Sequence, residues 1–141
     1  MTVMQPGEAL EFLAEGTRTG KLATASPTGR PHVAPIWFVA DGRDLVFTTG
    51  AGSVKGRQLL ANPRASLAVD AEVFPYSFVI VRGPVVVDDA APDLLEWATR
   101  IAARYVPAGR AEEYGRRNGS PGEMLCRLHA AQVTAANDIA L

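Results

Sequence analysis

Cysteine occurs once in the chain, at Cys126, and histidine twice, at His32 and His129. A lone thiol excludes an intramolecular disulfide and fits a reducing compartment. One cysteine and two histidines are too few for the usual four-ligand zinc site, so no metal is expected. Long apolar runs are missing too: no uninterrupted stretch approaches the roughly 18 residues that span a bilayer. The opening "MTVMQPGEALEFLAEG" carries Glu8, Glu11 and Glu15 and lacks the basic start of a secretory signal. A cytoplasmic setting away from membrane is the expectation. Charge of one sign is not in excess, because 14 Lys and Arg against 15 Asp and Glu leave a formal net charge of -1. No general pull toward nucleic acid follows, and any anion must be met by a local cluster. A Ser-His-Asp set and a carboxylate pair are also lacking, so no catalytic residue is assigned.

What is present suits one domain spanning residues 1–141, with 48% hydrophobic residues and a single core. Residues 6–16 read as a short amphipathic helix ended by Gly16. "GKLATAS", "PHVAPIWFVA" and "DLVFTTG" read as three strands separated by the turns "PTGR" and "DGR". Two short turns in about 30 residues imply an antiparallel meander, since parallel neighbours need a long crossover. "SVKGRQLLANP" reads as a helix with Ser53 as its N-cap and "NP" as its stop. "RASLAVDA" and "SFVIVRGPVVVDD" follow as a fourth strand and a longer fifth, bent at Gly83-Pro84. Residues 92–105 place Leu94, Leu95, Ala98, Ile101, Ala102 and Tyr105 on one helical stripe. "GRAEEYGRRNGSPG" reads as a short helix plus loop, and "EMLCRLHAAQVTAAN" as a last strand. The expected architecture is a six-stranded antiparallel barrel with flanking helices.

The junction "TTGAGSVKGRQLLANPR" concentrates the chemistry. It misses the P-loop spelling, because Lys55 precedes Gly56, and Gly50, Gly52 and Gly56 are too widely spaced for a dinucleotide fingerprint. Its physics still favours an anion. A strand ends in the hydroxyls of Thr48 and Thr49, glycines let the backbone approach a ligand, and a helix begins with unpaired amides. Ser53 adds a hydroxyl and Lys55 a compact positive charge. A Gly-rich turn with solvated cations is the competing reading of the same residues.

The order of elements, with "GKLAT", "GRPHVAPIWF", "LVFTT", "GSVK" and "NPRASLAV", resembles the flavin-binding split-barrel superfamily of the pyridoxamine 5′-phosphate oxidases. The likeness covers residues 16–88. It implies that Thr48, Thr49, Ser53 and Lys55 hold a cofactor phosphate and that Ala34, Pro35, Ile36 and Trp37 border the ring system. The oxidases carry cations where this chain has Ala34, Val39 and Val54, which argues against pyridoxamine phosphate as substrate. In form the chain is more similar to the branch of reductases that use the deazaflavin coenzyme F420. That resemblance implies hydride transfer from reduced F420 to a small conjugated or electron-poor acceptor. It also implies a homodimer with cofactor sites at the subunit interface, where Tyr76 and Phe78 of the other subunit cover the cofactor.

Two further readings stand beside it: an FMN-dependent oxidoreductase of the same fold, and a non-catalytic binder of flavin, deazaflavin or a tetrapyrrole. Haem fits poorly, because neither histidine stands in a recognisable ligand context. Arg57 is a candidate to extend the positive patch toward an acidic cofactor tail, or equally a solvent-exposed residue. His32 is a candidate substrate contact or a surface residue, and Trp37 either shapes the pocket or fills core. Cys126 reads as a small buried hydrophobe, Arg64 as a local ion-pair partner, and Asp88 and Asp89 as a strand stop.

Overall fold

The computed structural model describes residues 1–141. The strands are β1 (Thr2–Val3), β2 (Gly20–Ala25), β3 (Pro31–Ile36), β4 (Val39–Asp41), β5 (Asp44–Gly50), β6 (Arg64–Ala71), β7 (Ser77–Asp88), β8 (Glu123–His129) and β9 (Gln132–Asn137). The helices are α1 (Pro6–Ala14), α2 (Val54–Ala61), α3 (Leu94–Tyr105) and α4 (Ala111–Asn118). All strand pairs are antiparallel, in the order β3-β2-β6-β7-β8-β5-β4, with β9 on β7 and β1 on β9. This curled sheet with four flanking helices is a split barrel, as the sequence implied.

One long strand holds the two halves together. Ser77–Pro84 of β7 pair with β6, while Val85–Asp88 pair with β8. The expected bend at Gly83-Pro84 is where the partner changes. A Cβ on Gly83 would run into the carbonyl oxygen of His129, so only glycine lets these two backbones cross.

The strand count differs from six in two instructive places. "PHVAPIWFVA" is not one strand, because the chain crosses from β2's neighbour to β5's neighbour between Ile36 and Val39. At this crossing side chains replace the ladder. Arg104 Nη1 donates to Phe38 O at 2.7 Å, and the Tyr105 hydroxyl sits 3.3 Å from Phe38 N and 3.2 Å from Phe38 O. Buried peptide groups need partners, and α3 supplies them. The last segment likewise splits at Ala130–Ala131, whose amides turn to Arg43 O and Arg82 O. The two-residue β1 had no periodicity to reveal it.

Alternation along the strands builds the core. Leu22, Leu67, Val69, Val79 and Val81 are fully buried on one face, with Leu45 and Phe47 opposite, and α1 adds Leu13 and Phe12. A smaller cluster of Val46, Trp97, Ile101 and Leu125 packs α3 onto the outside of β5 and β8. Leu95, expected on the apolar stripe, is half in solvent, at 51% exposure.

Candidate functional site

Where β3 and β4 part, the barrel leaves a cleft of about 430 Å³. Pro35, Ile36 and Trp37 line one side, Thr48, Thr49 and Gly50 the end of β5, and Lys55 the first turn of α2. The structure therefore brings together six of the residues singled out from sequence. Ala34 precedes them on β3, half-buried and paired with Leu22, and does not line the cleft.

Each side chain has a local reason for its place. Thr49 is buried, and its hydroxyl lies 3.1 Å from Ser53 Oγ. Ser53 is the N-cap of α2: its Oγ accepts from Gly56 N at 3.0 Å and donates to Gly50 O at 2.8 Å. That hydroxyl is thus committed to building the turn. The amides of Val54 and Lys55 take no partner within the protein, as expected of a helix's first turn. Gly56 explains its own presence, since a Cβ there would collide with the Gly50 carbonyl oxygen. The helix accepts a weak helix former in exchange for seating its N-terminus against β5.

The Lys55 ammonium enters no ion pair and no hydrogen bond within the protein. A carboxylate nevertheless shares its cleft. Glu123, opposite Gly50 in the β5–β8 register, lines the same wall. Burial raises its pKa above the ordinary carboxylate value, and the Lys55 charge partly offsets this. Arg117 and Asn118 of α4 and Ala98 and Ile101 of α3 complete the lining. Sequence reasoning missed these. Glu123 opens a strand and Arg117 sits in a polar helix, where nothing local distinguishes them from solvated surface.

Trp37 is half-buried, with one face stacked on Tyr105 at 5.2 Å and 6° between planes, and Tyr114 tilted against it at 6.2 Å. It belongs to the cleft and to the packing beneath α3 at once. Burial also raises the Tyr105 pKa, so its hydroxyl stays a neutral hydrogen-bonding group.

Other candidates lie elsewhere. Arg57 and His32 line a separate groove with Arg30, on the far side of α2. Arg64 forms no ion pair, contrary to expectation. Cys126 is buried, with its thiol pushed up to about 12 by desolvation. Tyr76 is exposed and Phe78 half-buried; neither touches the cleft. The register Pro35–Lys21–Ala68–Ile80 puts Ile80 three strands from the cleft, about 14 Å along the sheet at the usual spacing, and Phe78 lies further on. No group of three or more potential metal ligands occurs, and no helix is long and apolar enough to cross a membrane.

The family model described as pyridoxamine 5′-phosphate oxidase matches residues 6–136. Among curated relatives, the chain is similar to a pyridoxine/pyridoxamine 5′-phosphate oxidase of Gluconobacter oxydans, 49% identical over 47 residues. That match spans 33% of this chain and 24% of the enzyme. Solved structures share the fold. A conserved hypothetical protein of Mycobacterium tuberculosis superposes with a TM-score of 0.83 at 21% identity, over 97% of this chain and 87% of that one. A FAD-binding protein of Mesorhizobium loti gives 0.68 at 22% identity, over 96% of both chains. An F420 reductase gives 0.66 at 27% identity, over 87% of this chain and 94% of that one.

Proposed function

Because the chain belongs to the pyridoxamine 5′-phosphate oxidase family, we propose that it is an oxidoreductase using reduced coenzyme F420 to reduce a small conjugated or electron-poor acceptor. The observation that carries this reading is the unpaired Lys55 beside the two free amides of α2, at the mouth of a cleft floored by Pro35, Ile36 and Trp37. That donor set fits a phosphate: a compact cation, the unpaired N–H groups of a helix's first turn and the Thr48 hydroxyl. The bound cofactor would supply the hydride.

The residues of this chain do the rest. Lys55, Thr48 and the amides of Val54 and Lys55 hold the anionic group. Thr49 and Ser53 act one step back, by fixing the turn that aims those amides. Pro35, Ile36 and Trp37 border the ring and exclude water from its edge. F420 is favoured over FMN by the apolar side chains at Ala34, Val39 and Val54, where the oxidases resembled by this sequence carry cations. The likeness to an F420 reductase points the same way.

The reading includes a homodimer. Phe78 and Ile80 alternate with the buried Val79 and Val81, so they stand on the sheet face turned away from the core. They and Tyr76 lie too far along the sheet to reach the cleft of their own subunit, and so would cover that of a partner.

Parallel titration of the purified protein with F420 and FMN tests the cofactor. Tighter binding of F420, followed by turnover of its reduced form with an acceptor panel, is expected. Tighter binding of FMN would replace F420 in the account.

A further inference from the structure

Two cations line the cleft. Lys55 stands at the start of α2, and Arg117 projects from the last turn of α4. The two helices do not pack on each other; α4 rests on α3, with Gly115 against Thr99. Neither cation has a carboxylate within ion-pair reach, since the chain's ion pairs involve only Arg18, Arg110, Arg127 and His129 as cations. The charge of Lys55 acts on Glu123, which lines the same cleft. Two positive groups on separate helices therefore line one cleft, and neither has an ion-pair partner.

Their chemistry differs. Lys55 is a point charge among amides, suited to a phosphate. Arg117 is a planar fork suited to a carboxylate. Its guanidinium lies 5.7 Å from the centre of the Tyr114 ring, and Tyr114 leans on Trp37. Arg110, at the other end of α4, shows what a satisfied arginine looks like here: it grips Glu113 with two bonds of 3.1 and 3.2 Å. The Arg117 guanidinium makes no hydrogen bond to the protein, the Ser120 hydroxyl reaching only its backbone carbonyl, so its fork is left for something that enters the cleft.

We propose that Arg117 determines acceptor specificity, selecting conjugated molecules that carry a carboxylate. The charge pairs with the guanidinium while the flat, conjugated part lies toward Trp37, which lines the same cleft. This rests on the reading of the cleft as a hydride-transfer site, with Lys55 assigned to the cofactor and Arg117 to the acceptor.

Cinnamate and methyl cinnamate form a matched pair of probes, alike in shape and different in charge. Their binding to the purified protein is read by quenching of tryptophan emission, Trp37 being the indole in the cleft. The acid is expected to bind at least tenfold tighter than the ester. Arg117→Gln should abolish that difference while leaving F420 and FMN affinity unchanged; Arg117→Lys, which keeps the charge without the fork, should restore part of it. Equal binding of acid and ester to the wild type overturns the proposal, even if the variants do not fold. So does discrimination that survives in Arg117→Gln, or a loss of cofactor affinity in that variant. Failure of the underlying cofactor reading looks different: neither F420 nor FMN binds the wild type, whatever the probes do.

Discussion

Trp37 and Tyr105 lie face to face, with ring centroids 5.2 Å apart and planes 6° from parallel. The Tyr105 hydroxyl meanwhile lies within hydrogen-bond distance of Phe38 and, at 3.1 Å, of Arg18 O. One side chain thus backs the ring that borders the cleft and pins the backbone crossing that creates it. Tyr105→Phe removes only the hydroxyl and should cost about 1 kcal/mol. Tyr105→Ala also removes the stacking surface and should cost about 3 kcal/mol, with a shift in tryptophan emission as Trp37 loses its support. Denaturant titration with fluorescence detection checks both, and equal losses would contradict a stacking role.

Arg104 extends the same support. Its guanidinium donates to Leu13 O, Gly16 O and Phe38 O at 2.7, 2.9 and 2.7 Å, tying the end of α1 to the β3–β4 crossing. Burial lowers its pKa but leaves the group charged, because arginine is effectively always protonated. Arg104→Met keeps much of the packing and takes the side-chain donor from Leu13 O and Gly16 O, leaving Phe38 O only the Tyr105 hydroxyl. The expected loss is about 2–3 kcal/mol in chemical denaturation, and a loss below 0.5 kcal/mol would show the clamp to be incidental.

Gly56→Ala should behave unlike an ordinary helical substitution. Alanine is the better helix former by about 1 kcal/mol, yet here its Cβ meets the Gly50 carbonyl. The turn must open, so both thermal stability and cofactor affinity should fall. A stabilised variant that binds normally would show that α2 does not need its close seat on β5.

Glu123 sets a pH dependence. Its folded pKa lies above the unfolded one because burial favours the neutral form. Its contribution to stability is therefore complete below the ordinary carboxylate pKa, near 4.3, and is lost as pH rises through the raised value. An anion bound beside it should also weaken over that interval. Glu123→Gln should flatten both profiles and tighten cofactor binding at neutral pH. Unaltered profiles would place the carboxyl outside the anion's field.

Much of this was legible in the chain. Pro and Gly at the turns, Ser53 ahead of a helical run and the Thr48–Lys55 junction are local signals, and local signals survive in sequence. The break of "PHVAPIWFVA" was not legible, because it depends on Arg104 and Tyr105, more than sixty residues away, replacing the strand ladder at Phe38. The need for glycine at position 56 was not legible either, because its reason is a contact with Gly50 across the turn. Arg117 and Glu123 became visible only when α4 and β8 were placed beside β5. Arg57 stayed open between two readings for the converse reason: it follows Lys55 closely in sequence but is exposed and lines the groove on the other side of α2.

The most direct test of the account is F420 and FMN affinity in Lys55→Ala, measured by fluorescence titration alongside thermal melting. The account predicts at least a tenfold weakening, about 1.4 kcal/mol, in a protein that melts as the wild type does. Wild-type affinity in that folded variant would contradict the assignment of this cleft to the cofactor phosphate.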